Sequence, residues 1–251
     1  MTQLALATLA FLATHFVAST PLRGVLVRAM GEWPYRALYS LVAFATLIWM
    51  GMAYAAAPRE LLWPGLRHLP PAVMPFAFVL IACGFWRNPT IVGADRLLKS
   101  DDPARGMIRI TRHPIMWGFI LWAAAHLLAR GDTKSLLFFG SFLLLASLGT
   151  ILLDKRKTKI EGWARFAGLT SNVPFVAIAQ GRNRIAWSEI GWMRPVSGLL
   201  LTTANFADVV SGLPTSGLKA KMRGASGESG STVAPPSSRS RRAPRPLPPM
   251  Y

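Results

Sequence analysis

Few residues in this chain are equipped to do chemistry, and the imidazoles lead them. The four histidines are His15, His68, His113 and His126. No HExxH, CxxC, GxGxxG or P-loop spacing accompanies them. Carboxylate pairs are scarce, and Asp101 with Asp102 sits in a loop. Hydrolytic and phosphoryl-transfer chemistry therefore have little support. The single cysteine, Cys83, lies in an apolar run. It allows no internal disulfide and reads as a small hydrophobe.

The elements that must position these histidines are apolar helices. The chain carries a formal net charge of +17 yet has an apolar majority. Its charge sits in short blocks between long apolar runs, the pattern of membrane spans joined by loops. Five spans are predicted, over residues 4–18, 37–57, 71–86, 114–129 and 135–153, and none contains a charged residue. The first has no Lys or Arg before it, so it reads as a span rather than a secretory signal. Arg130, Gly131 and Asp132 make a tight turn, which predicts an antiparallel hairpin of the last two spans. Residues 160–179 mix Trp163, Phe166, Leu169, Val173 and Phe175 with charges and read as an interfacial segment. Residues 187–210 are broken by Glu189, Arg194, Pro195, Asn205 and Asp208, so residues 194–216 read as either a sixth span or an interfacial stretch. From 217 to 251 the Gly, Ser, Pro and Arg composition cannot bury a core and predicts disorder. The expected fold is an all-α, polytopic transmembrane helix bundle.

Lys and Arg fix its orientation. One set of loops carries Arg23, Arg28 and Arg36, then Arg87 to Arg112, then Lys155, Arg156, Lys157, Lys159 and Arg165. The alternate loops carry only Arg59, Arg67, Arg130 and Lys134. The N-terminus is expected outside and the rich loops in the cytoplasm. The basic excess then serves orientation and anionic lipid, and no nucleic-acid partner is expected.

With that topology His15 ends the first span and His113 begins the fourth, both near the inner interface. His126 lies about 20 Å from His113 along one helix, at ~1.5 Å per residue. His113 and His126 cannot share a metal on a straight helix, whereas His15 and His113 can. A histidine within a span is a functional candidate by default. The plainer alternative is that His15 bonds a neighbouring carbonyl and His113 is a helix-entry residue at the interface. His126 reads as a packing hydrogen bonder with Trp122, and His68 as solvated. Pro114 pre-sets the first turn of the fourth span. The free amides there, with Arg112, make a cationic entrance suited to a phosphate or a haem propionate. The alternative for Arg112 is simple positive-inside anchoring.

One stretch has a family likeness. Asn88, Pro89, Thr90 and Gly93 lead into Ala104, Arg105, Gly106, Ile108, Arg109 and Ile110. Then come Thr111, Arg112, His113, Pro114, Trp117, Gly118, Trp122, His126, Leu127, Gly131 and Asp132, and later Thr170, Ser171, Asn172, Val173, Pro174 and Phe175. Over about residues 1–193 the chain resembles the NnrU family of bacterial membrane proteins, associated with nitrite and nitric oxide respiration. That family in turn resembles the 15-cis-zeta-carotene isomerases, membrane proteins carrying haem b. The resemblance implies haem b held by His15 and His113, with Arg112 toward a propionate and Trp117 as an aromatic wall. It implies a bacterial inner-membrane location and membrane redox or denitrification partners. A second likeness is to isoprenylcysteine and phospholipid methyltransferases, through Arg112, His113 and Pro114 followed by Glu161, Trp163 and Phe166. Their usual paired acid is absent, because Gly162 follows Glu161. A non-enzymatic scaffold or transporter is the third reading.

Overall fold

In the computed structural model, residues 1–200 and residue 202 are described. Among them the chain is helical, with no strand and one isolated bridge between Leu61 and Asp132. The principal helices are α1 (Thr2–Val17), α2 (Leu22–Met30), α3 (Glu32–Ala56), α4 (Leu69–Gly84), α5 (Pro114–Arg130) and α6 (Thr133–Lys157). Short helices α7 (Trp163–Leu169), α8 (Val176–Ala179) and α9 (Trp187–Ile190) follow. Each predicted span finds its helix. Proline marks the entries of α4 and α5, where a missing N–H costs nothing.

Length separates these helices. The α3 and α6 helices, each of 25 residues, are long and apolar enough to cross a membrane. The pair α1 and α2 passes the same test together but bends by 73°. At 16, 16 and 17 residues, α1, α4 and α5 fall short of the roughly 20 residues a straight span needs. By length and composition two helices can cross a membrane, or three if α1 and α2 form one bent span, so the five expected spans are met in part. Large apolar side chains point outward along the bundle, among them Leu9, Leu41, Phe44, Met52 and Phe76. A protein that presents such a surface is solvated by lipid.

The helices pack in two groups joined through α6. Leu4, Ala7 and Phe11 of α1 meet Met50 and Ala53 of α3, with Phe138, Phe142 and Leu145 of α6 against them. Met74 and Ala77 of α4 meet Ala125 of α5. Gly118 of α5 seats on α4 so closely that a Cβ there would lie 2.7 Å from the Ala77 carbonyl oxygen. Residues 193–200, in the segment read as a broken sixth span, are helical and also dock on α4. A Cβ on Gly198 would come within 2.8 Å of the Val79 Cα.

Both ends of the bundle are latched. At one, Arg59 pairs with the fully buried Asp132 at 2.9 Å, and Leu62 N–H donates to the Gly131 carbonyl at 2.7 Å. The Asp132 carboxylate also accepts from Ser135 N–H and caps α6, which makes the α5–α6 hairpin abrupt. At the other end the buried Lys157 ammonium donates to the Pro89 carbonyl and to Asp95. The loops thus alternate between ends, as in an up-and-down bundle.

Two local outcomes differ from expectation. The segment 22–30, read as a loop, is the helix α2, nearly perpendicular to α1. The segment 160–179 does not lie flat through all its aromatics: Trp163 and Phe166 are buried against Leu98, Ala104 and Ile108. The adjoining Val173 and Phe175 are exposed. The predicted tail from 217 falls outside the described residues.

Candidate functional site

The most concentrated buried polar chemistry lies where α5 begins and α6 ends. His113 is the N-cap residue of α5 and is 1% exposed. Its Nε2 stands 2.7 Å from Asp154 Oδ1 on the last turns of α6. A carboxylate accepts only, so Nε2 is the donor in this contact, and in a neutral ring Nδ1 would be the nitrogen with the lone pair. That Nδ1 is buried and has no partner. A bare, desolvated imidazole nitrogen is costly unless something binds there. With the other nitrogen held by a carboxylate, this is the arrangement of a metal-ligating histidine and its outer partner.

The loop 170–175 fastens this corner. Asn172 offers its carbonyl to Thr111 Oγ1 at 2.6 Å and to the Trp117 indole at 2.8 Å, and its amide donates to Thr150 at 2.9 Å. Arg112 N–H donates to the Ser171 carbonyl at 2.9 Å. The Arg112 guanidinium reaches the Thr170 carbonyl at 2.9 Å and Asp154 at 3.5 Å, while its Nε is buried without a partner. Burial pulls this guanidinium below its ordinary range, although Asp154 acts in the opposite sense. Trp117 and Arg112 are thus both tied to loop backbone. Asp154 and Thr150 were not singled out from the sequence, and Asn172 entered only with the family likeness. The only signal for Asp154 was an acid standing alone at the head of the basic run Lys155, Arg156, Lys157.

His15 sits in a different setting. Its Nδ1 lies 2.8 Å from the Phe11 carbonyl, which can only accept. In a neutral ring Nε2 would then be the acceptor nitrogen. Its ring lies 4.3 Å from Phe11 and 6.2 Å from Tyr39. A shared aromatic layer relates the two histidines, since Phe142 touches Phe11 at 5.2 Å and Trp122 at 5.2 Å. His15 is four residues beyond Phe11, and His113 is nine before Trp122. Both displacements run toward the basic end, so the two differ by about 8 Å along the axis at ~1.5 Å per residue. His126 bonds the Trp122 carbonyl at 2.8 Å and stacks on Phe139 at 5.1 Å. His68 is an exposed residue at the start of α4.

Among the described residues no three His, Cys, Asp or Glu gather as a metal-ion cage. Axial ligation of a porphyrin requires only one or two imidazoles. Of the methyltransferase likeness, the Arg112 guanidinium reaches the Ala167 carbonyl beside Phe166 at 3.3 Å, but the acid is turned away. Glu161 is exposed and pairs with Lys99 at 2.6 Å, while Trp163 and Phe166 belong to the core beneath Leu98.

The family model described as "NnrU protein" matches residues 3–207. No curated protein and no solved structure matches.

Proposed function

Starting from the fact that this chain belongs to the NnrU family, we propose that it is a multi-pass inner-membrane protein that binds haem b through His15 and His113. Its role is redox, sensory or isomerase-like, linked to nitrite and nitric oxide metabolism through membrane redox or denitrification partners. One observation carries the reading. The fully buried His113 has Nε2 on Asp154 at 2.7 Å and Nδ1 buried without a partner among the described residues, so a neutral ring there would offer Nδ1 as a ligand. Neutral imidazole in a set tautomer is the ligating form.

The chain's own residues then have defined parts. Asp154 holds the His113 ring and its tautomer, and the Phe11 carbonyl does the same for His15. Trp117 and Thr111 fasten the entry of α5 to the loop at Asn172. The buried Nε of Arg112, the residue before His113, has no partner among the described residues and would be a donor for an anionic edge group. Haem b, when bound, supplies one-electron chemistry, or a ligand-binding position if one imidazole leaves. Five helices, α1, α3, α4, α5 and α6, cross the membrane in this reading, with the N-terminus outside. The short ones do so by local thinning of the bilayer and by packing on their longer neighbours.

The test is an absorption spectrum of detergent-purified protein made with ample haem. A Soret band is expected, lost or strongly altered in His15→Ala and His113→Ala and nearly unchanged in His126→Ala. The absence of any Soret band from the wild type overturns the proposal. Loss of the band in His126→Ala, with His15→Ala unaffected, moves the site to the other half of the bundle.

A further inference from the structure

A second polar feature lies apart from His113, near the junction of α8 and α9. It is an open cleft of about 320 Å³ lined by Asp102, Arg109, Leu169, Arg182, Asn183 and Arg184. Its floor is rigid. Glu189 takes Arg109 Nε and NH2 on its two oxygens at 2.8 Å each, and Asn183 Oδ1 accepts from Arg109 NH1 at 2.9 Å. The cleft's acceptors are therefore engaged. Asp102 receives Arg109 and the Ala104 N–H. Asn183 Oδ1 also receives the Arg184 N–H.

Its donors are not all engaged. Among the described residues Arg182 gives its Nε and one NH2 hydrogen to the Gln180 side chain and both NH1 hydrogens to the carbonyls of Gly168 and Thr170, which leaves one NH2 hydrogen. The Arg184 guanidinium has no hydrogen bond or ion pair among the described residues. Two guanidiniums without a carboxylate thus face one cleft above a third, and an anion between them would relieve their repulsion. The planar fork of arginine matches phosphate oxygens in pairs. The neighbouring chain marks the level of the cleft. Val173, Phe175 and Trp187 expose 52%, 53% and 73% of their surface. Apolar and Trp side chains beside arginines are the pattern of the bilayer–water boundary. A phosphate at that level belongs to a lipid.

We propose that this cleft holds the phosphate of an anionic phospholipid, clamped by Arg182 and Arg184 over the fixed Arg109–Asn183 floor. The ligand carries a net negative charge, as in phosphatidylglycerol. A zwitterionic headgroup brings its own cation against the two arginines and is disfavoured.

The experiment uses the delipidated full chain in neutral detergent, titrated separately with dihexanoylphosphatidylglycerol, dihexanoylphosphatidylcholine and inorganic phosphate, with bound adducts counted by native mass spectrometry. Phosphatidylglycerol is expected to bind, and the other two much more weakly. Arg184→Gln, whose side chain holds nothing in place, should weaken binding about tenfold by removing charge-assisted hydrogen bonds. The double variant R182Q/R184Q should abolish it. R28Q/R96Q removes the same charge from exposed positions elsewhere and should leave binding intact. Equal binding of the two lipids overturns the proposal, as does equal weakening by R28Q/R96Q, which would mark a diffuse field. Inorganic phosphate binding as tightly as phosphatidylglycerol overturns the lipid assignment in favour of free phosphate.

Discussion

At the scale of single residues, Arg109 and Glu189 of α9 form a bidentate ion pair. Hydrogen bonds from Arg109, aided by the Gly106 N–H, hold the Glu189 carboxyl at about 2, against an ordinary 4.5. A depressed folded value stabilises the fold fully above the unfolded one, and that contribution is lost as pH falls from 4.5 towards 2. It amounts to about 3 kcal/mol at neutral pH, at 1.36 kcal/mol for each pH unit. Melting of the detergent-solubilised protein should therefore be flat above pH 5 and fall below about 4.5. Glu189→Gln should lower stability at pH 7 by roughly that amount and flatten the acid limb; an unchanged acid limb counts against the pair. Asp154 supports a second expectation, which rests on the haem reading. Asparagine there can donate as well as accept, so the His113 tautomer is no longer fixed. Haem affinity should drop about 10–100-fold in Asp154→Asn, read from the Soret band during a haem titration. His113 was legible in the sequence because the Arg-His-Pro entry is distinctive. Asp154 was not, because a carboxylate at the head of a basic run looks like an ordinary helix-end residue until α5 is laid beside α6.

At the scale of elements, the apolar runs located α1, α3, α4, α5 and α6 to within a few residues, because apolar stretches of that length have few other uses. They did not reveal α2, since Pro21 and the charges of Arg23 and Arg28 look like a loop. Nor did they show that Trp163 and Phe166 would be buried, because the Leu98 and Ile108 surface that covers them is distant in sequence. Contact between helices was equally hidden. Gly118 reads as a neutral small residue, yet a Cβ there would stand 2.5 Å from Ile81 Cγ1 and 2.7 Å from the Ala77 carbonyl oxygen. Close approach through small residues is the usual basis of helix pairing in lipid. Gly118→Ala should thus cost about 1–3 kcal/mol by overpacking. Gly140→Ala on α6, with no atom within 4 Å of its added carbon, should be neutral or slightly stabilising through helix propensity. Equal melting temperatures for the two variants would show that α4 and α5 are not seated as described.

At the scale of the whole molecule, sequence and structure make different statements about the same asymmetry. The sequence places most arginines and lysines in alternate loops. The structure gathers those loops at one end through Lys157 with Pro89 and Asp95. It gathers the sparse loops at the other, through Arg59 with Asp132. Neither says which end faces the cytoplasm; the positive-inside rule does. Impermeant thiol labelling decides it, in a Cys83→Ala background so that no native thiol remains. Cysteine replacing Ser100 lies at the basic end, and cysteine replacing the exposed Arg67 lies at the other. Ser100→Cys should react only in inverted vesicles, and Arg67→Cys only in intact spheroplasts. The reverse pattern would put the His113 corner and the arginine cleft outside, against the charge rule. Reaction of both from one side would deny the alternation itself, because the two latches could not then lie at opposite faces of one bilayer-spanning bundle.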